Sequence, residues 1–202
     1  MSGVATALSV FVRPFMVYGY VDRPSGKFRK LTRISSNATL THKDKIQMGD
    51  QVWLWHHSVV DGSGGVEIGD GVQIGAWCGI FSHSSHISIR LLGRHYIHHT
   101  QDDRAGYIRA SVKIGEYTFV GARALIMPGA KIGRGCLIVP GAVVSGTIPD
   151  FAIVKGDPGK VVGDVRDMDR RFLRDGKHLA TYFAPEAIED MAVSASGSSE
   201  DH

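Results

Sequence analysis

The chain has 202 residues, 43% of them hydrophobic, and a formal net charge of +3. It is long enough for one well-buried domain, and neither the small charge nor any dense basic run interleaved with aromatics points to a nucleic-acid partner. Cys78 and Cys136, the only two cysteines, are far apart and lack CxxC spacing, which argues against a disulfide framework or structural zinc and for a reducing, cytoplasmic setting.

Residues 1–45 hold one apolar patch, "FVRPFMVYGYV", and a basic stretch from Arg23 to Lys45. They read as an irregular N-terminal cap region. No run in the chain approaches the roughly 18 apolar residues of a membrane-spanning helix.

A repeat begins at residue 46. Ile114, Val120, Ile126, Ile132, Ile138 and Val144 recur every six residues, each preceded by two positions by Val112, Thr118, Ala124, Ala130, Cys136 and Ala142. Upstream the same phase gives Met48, Leu54 and Val60, then Ile68, Ile74 and Ile80. A period of six matches neither a helix nor simple alternation, but it suits short strands joined by sharp turns, with glycine where positive φ is required. Three units close a triangular coil, so the spacing predicts an all-β solenoid, a parallel β-helix over 46–164 with Met48, Ile68, Ile114 and Ile132 stacked. The step from Val60 to Ile68 is eight, and "GSGG" supplies the two extra residues.

The rhythm breaks between Ile80 and Ile114. A long external loop, about 86–112, leaves the coil there, rich in aromatics, histidines and arginines, and such insertions in tight repeats are commonly functional. Beyond it, residues 165–190 carry helix-like spacing and predict a C-terminal helix, with 191–202 a disordered tail. His83 and His86 lie where coil becomes loop, amid serines. A histidine there can take a proton from a hydroxyl or amine, as acyl transfer to such groups requires.

The hexapeptide ladder, "GIFSHSSH", the loop and the runs "IMPGAKIG" and "PGAVV...IPDFAIVKGDPGKVV" together resemble the hexapeptide-repeat acyltransferases, most nearly the branch of sugar and polysaccharide O-acetyltransferases. That resemblance implies a left-handed coil, a homotrimer with active sites between subunits, acetyl-CoA as co-substrate, no metal and a saccharide acceptor. It places the general base on His86, with His83 the alternative. For acceptor binding it implicates Trp55, His56, His57, Asp61 and Arg90, although the family's asparagine is missing from "WLWHHSVVDG". For acetyl-CoA it implicates Phe119, Gly121, Ala122 and Ser145, with Lys160 or Lys155 replacing a lysine absent at Gly146. Neither cysteine suits a nucleophile, so transfer would be direct.

Three other readings stand beside this one. An N-acetyltransferase on an amino-sugar would use the same base. A metal enzyme of the γ-carbonic-anhydrase type would draw on His57, His83 and His86. A non-catalytic β-helix scaffold would use none of them.

Overall fold

The computed structural model describes residues 14–174 and 183–196. Its core is a parallel β-helix of three sheets, visited in rotation. The first sheet stacks Phe28–Ser35, Trp53–Leu54, Gln73–Ile74, Phe119–Val120, Leu137–Ile138 and Ala152–Lys155; an antiparallel strand closes each end, Met16–Val21 on one side and Lys160–Asp164 on the other. Thr39–Thr41, Val59–Asp61, Gly79–Phe81, Leu125–Ile126 and Val143–Val144 form the second. The third holds Ile46–Met48, Val66–Ile68, Val112–Ile114, Lys131–Ile132 and Thr147–Ile148.

Register follows the ladder: Met48 pairs with Ile68, Ile68 with Ile114, and Ile114 with Ile132. These aliphatic side chains, and the small residues two positions before them, point inward and are buried. Where the small position is polar, its hydroxyl is satisfied. Ser58 Oγ donates to the Gly75 carbonyl at 2.9 Å and Thr118 Oγ1 to that of Gly133 at 2.9 Å, so neither leaves an unmet group in the core.

The coil starts earlier and ends later than the regular spacing indicates. Arg33 and Ile34 pair in parallel with Trp53 and Leu54, and Thr39–Thr41 with Val59–Asp61, so part of the expected cap forms rungs of the coil. At the other end Ile148 pairs with Ile132 and Val154 with Ile138, although Ile148 follows Val144 by four residues rather than six.

The long insertion leaves at the corner between the second and third sheets. That corner is wide in both preceding coils: Leu40 to Met48 is eight residues, accommodated by a 3₁₀ turn at Lys43–Lys45, and Val60 to Ile68 is also eight. The inserted segment is itself ordered. His83–Ser84 pairs antiparallel with Ile108–Arg109, and between them lie helix α1 (His86–Leu92) and a 3₁₀ stretch, Gly93–His98.

At the C-terminus, helices α2 (Val165–Arg174) and α3 (Pro185–Ser196) stand in place of one helix over 165–190. Arg134 of the coil makes a two-pronged ion pair with Asp190 of α3, at 2.9 and 2.8 Å. The expected disordered tail is corrected in part: residues 191–196 continue α3, whereas 197–202 lie outside the described residues, as do 1–13 and 175–182. Among the described residues no helix is long and apolar enough to cross a membrane.

Candidate functional site

The wide corner gathers the most concentrated polar chemistry of the coil. Asp61 ends a strand of the second sheet, and the next coil pairs it with Phe81, so the residues just beyond each strand meet at the corner. Asp61 is 5% exposed. It accepts from Thr41 Oγ1 at 3.0 Å, Ser63 Oγ at 2.8 Å, Ser82 Oγ at 3.1 Å and His83 Nδ1 at 2.6 Å. Burial pushes this carboxyl up, but the hydrogen bonds from His83, Ser63 and Thr41, with the attraction of the His83 charge, outweigh it and hold Asp61 well below the usual carboxylate range.

A carboxylate can only accept, so the Asp61 contact places a proton on His83 Nδ1 and leaves Nε2 as the basic nitrogen. The His83 side chain is 32% exposed, so the ring is open to solvent in part. Ser63 Oγ, 2.9 Å from Nδ1, adds a second contact on the same side of the ring. Tyr107, from the returning arm of the insertion, stacks on the imidazole with centroids 5.4 Å apart and planes 10° from parallel.

The depressed Asp61 carboxyl has a stability consequence. A group whose folded-state value lies below its unfolded one, near 3.8, stabilises the fold fully above that pH and loses the contribution as pH falls toward the folded value. The urea midpoints of the native protein and Asp61→Asn should therefore differ most at neutral pH and converge below about pH 4. A gap that stays constant down to pH 3 would mean the carboxylate charge does not contribute.

His86 has a different setting. It opens α1, is exposed, and its Nδ1 lies 2.6 Å from Ser84 Oγ, a hydroxyl that can donate or accept and so does not fix the ring tautomer. Arg90 is exposed on the same helix.

The remaining candidates divide between two corners. Trp55, His56 and His57 sit at the corner between the first and second sheets, not beside Asp61. There Trp55 stacks on Trp53 at 5.1 Å, His56 Nδ1 meets Ser35 Oγ at 2.7 Å, and His57 lies flat against Trp77 at 5.6 Å. Phe119 is on the outer face of the first sheet, with Gly121 and Ala122 at that same corner; Lys155 and Lys160 face each other in the closing hairpin of that sheet. Ser145 alone of the donor set follows the second sheet, on the same edge of the coil as His83 but two coils on, at a shortened corner. Within one chain the base candidates and most donor candidates are thus held on opposite edges of the second sheet. A groove of about 460 Å³ lined by Arg29, Glu67, Asp70, Lys113 and Arg134 includes none of these residues.

Gly121 has a structural requirement of its own. A Cβ there would fall 2.5 Å from Pro140 N and 2.6 Å from its Cδ in the next coil. Gly121→Ala should lower stability by roughly 1–3 kcal/mol, the scale of overpacking, with a matching fall in the urea midpoint. An unchanged midpoint would show that the coils separate freely at this rung.

His57 is on a different corner from His83 and His86, and among the described residues no three His, Cys, Asp or Glu side chains gather as a metal site. Burial pushes the Cys78 and Cys136 thiols up, away from the nucleophilic thiolate. Ser63, Ser82, Thr41 and Tyr107 were not legible as site residues from their types. The signal for the serines was positional: with Asp61 in register with Phe81, residues 82 and 83 must lie beside it.

Fold and site together define a parallel β-helix with a carboxylate-held histidine at the root of an insertion. Residues 111–146 match the family model "Bacterial transferase hexapeptide (six repeats)". It is 33% identical over 132 residues to a probable acetyltransferase of Mycobacterium tuberculosis, covering 62% of this chain and 39% of that protein. It is 26% identical to the galactoside O-acetyltransferase of Escherichia coli, over 53% of this chain and 48% of that one. This chain therefore spans less than half the length of either curated relative. A hexapeptide-repeat acetyltransferase from Vibrio cholerae, solved with acetyl coenzyme A, shares the fold at a TM-score of 0.54 and 20% identity, over 63% of this chain and 64% of that one.

Proposed function

We propose that this protein is an acetyl-CoA-dependent O-acetyltransferase acting on a hydroxyl of a saccharide or polysaccharide precursor, with His83 as general base. The observation that carries this reading is the 2.6 Å contact of His83 Nδ1 with the buried Asp61 carboxylate. An ionised carboxylate behind an imidazole fixes the tautomer and steadies the imidazolium that forms when the far nitrogen takes a proton. Acetyl as the acyl group and a saccharide as acceptor are drawn from the resemblance to the acetyltransferases named above, the galactoside enzyme in particular.

In this mechanism His83 Nε2 removes the acceptor's hydroxyl proton as its oxygen attacks the thioester carbonyl of acetyl-CoA. The tetrahedral oxyanion is held by backbone N–H or neighbouring polar groups, then collapses with cleavage of the carbon–sulfur bond. The proton passes from the imidazolium to the departing CoA sulfur. No acyl-enzyme is formed, in keeping with the two buried, poorly ionisable thiols.

The preference for His83 over His86 reverses the ranking that the family resemblance suggests. It rests on the buried carboxylate behind His83, where His86 meets a hydroxyl on an exposed helix turn.

The reading includes a left-handed coil assembled as a homotrimer, with donor and acceptor meeting between subunits. Two features support the assembly. Base and most donor candidates occupy different corners, so a neighbouring copy would unite them. The outward residues of the third sheet are polar throughout, Gln47, Glu67, Lys113, Lys131 and Thr147, whereas those of the first include Trp53, Phe119, Leu137 and Ile153 and those of the second Leu125 and Val143. Two apolar faces and one charged face suit a subunit packed on two sides.

The test is a panel of neutral sugars, amino-sugars and short glycans incubated with acetyl-CoA, with free thiol release measured and the product located by NMR. Acetyl ester on a saccharide oxygen is the expected product. Amide product only, or no acceptor-dependent thiol release across the panel, contradicts O-acetylation.

A further inference from the structure

We propose that Tyr107, carried by the inserted segment, is a positioning residue for His83, its ring covering one face of the imidazole and so setting where Nε2 points. This rests on the reading of His83 as the base. Asp61 and Ser63 both meet the ring at Nδ1, and contacts gathered at one nitrogen leave an imidazole free to swing about it. The near-parallel stack with Tyr107, at 5.4 Å and 10°, removes that freedom.

Tyr107 is itself held from three directions. Its own N–H donates to the Arg104 carbonyl at 3.1 Å, and the backbone just after it is anchored, since His83 and Ser84 pair with Arg109 and Ile108 and Ala110 N donates to the Ser82 carbonyl at 3.0 Å. The Arg109 guanidinium lies over the tyrosine ring, 5.2 Å from its centroid. Arg109 in turn donates to Asp102, and to Gln101 Oε1 at 3.2 Å. A layered order results: carboxylate behind the ring edge, tyrosine on the ring face, arginine on the tyrosine. The insertion thereby acts on the base through packing, without contributing an acid or base of its own to His83.

The ring face, rather than the hydroxyl, is the working part, so Tyr107→Phe and Tyr107→Leu should behave differently. In the full-length protein, Tyr107→Leu is expected to lower kcat about tenfold while KM for acetyl-CoA and acceptor stays within about twofold, and Tyr107→Phe should retain native kcat. A second readout needs no turnover: imidazole NMR with His83 assigned by difference against His83→Gln. The Nδ1–H signal of the Asp61 contact should persist in the native protein and Tyr107→Phe and be lost to exchange in Tyr107→Leu. Native kcat and an intact signal in Tyr107→Leu would overturn the proposal, as would equal losses in both variants. If His83→Gln keeps native activity, the base assignment fails by itself; the NMR comparison still decides whether Tyr107 holds the ring.

Discussion

His83→Gln is expected to lower acetyl-transfer kcat by about 10²–10⁴-fold, the range contributed by a positioned general base. Asp61→Asn should fall with it. The amide can present N–H to the imidazole and favour the wrong tautomer, and it cannot balance the charge of the imidazolium. His86→Gln should remain within about threefold of the native rate, as for a surface change worth at most about 0.5 kcal/mol. The three variants form one comparison, because His83 and His86 are three residues apart in sequence but differ in what stands behind them. A large loss in His86→Gln beside a native rate in His83→Gln would return the base to the residue the resemblance favours.

The other large effect concerns the stack. Ile80 is fully buried between Val60 and Ile126 and is the last rung before the chain leaves for the insertion. Ile80→Ala removes three methyl or methylene carbons from a column closed above and below, and should cost about 2–5 kcal/mol. Each rung of a solenoid is supported only by its neighbours, so the damage should centre on the coil that carries His83. A lower urea midpoint at unchanged slope is the expected signature. Ile89→Ala, at a position 50% exposed on α1, is the control and should move the midpoint little. Equal shifts in the two would mean that the inner column does not carry the stability assigned to it.

The coil was legible because its period is imposed by geometry. An aliphatic side chain must point inward once per face, and Met48, Ile68, Ile114 and Ile132 could be placed on one another from their numbers alone. The ends were not. A fixed interval of six misses Ile148, reached after a shortened corner, and also Ile34 and Leu40, separated from Met48 by the wide one. Corner length is free to vary because corners face solvent, whereas the inward side chains are fixed by the core.

The site was half legible. His83, His86 and Asp61 stood out as residue types, but their ranking needed the 20-residue coil that brings position 81 beside 61. Counting along the chain shows His83 and His86 as near equals; counting around the coil puts His83 against Asp61. Tyr107 could not be found this way, since it arrives through a loop with no repeat to index it. The split between the corner of Trp55, His56 and His57 and the corner of Asp61 was equally invisible in "WLWHHSVVDG", where a strand of three residues separates two edges of the prism.

The most direct measurement is a crystal structure of the protein with CoA and a saccharide accepted in the panel. An acceptor hydroxyl oxygen is expected about 2.6–3.2 Å from His83 Nε2, with the CoA sulfur beside it. Phe119 and Gly121 of a neighbouring subunit should flank the pantetheine arm. An acceptor oxygen held at His86, with His83 turned into Asp61 and out of reach, would contradict His83 as the base.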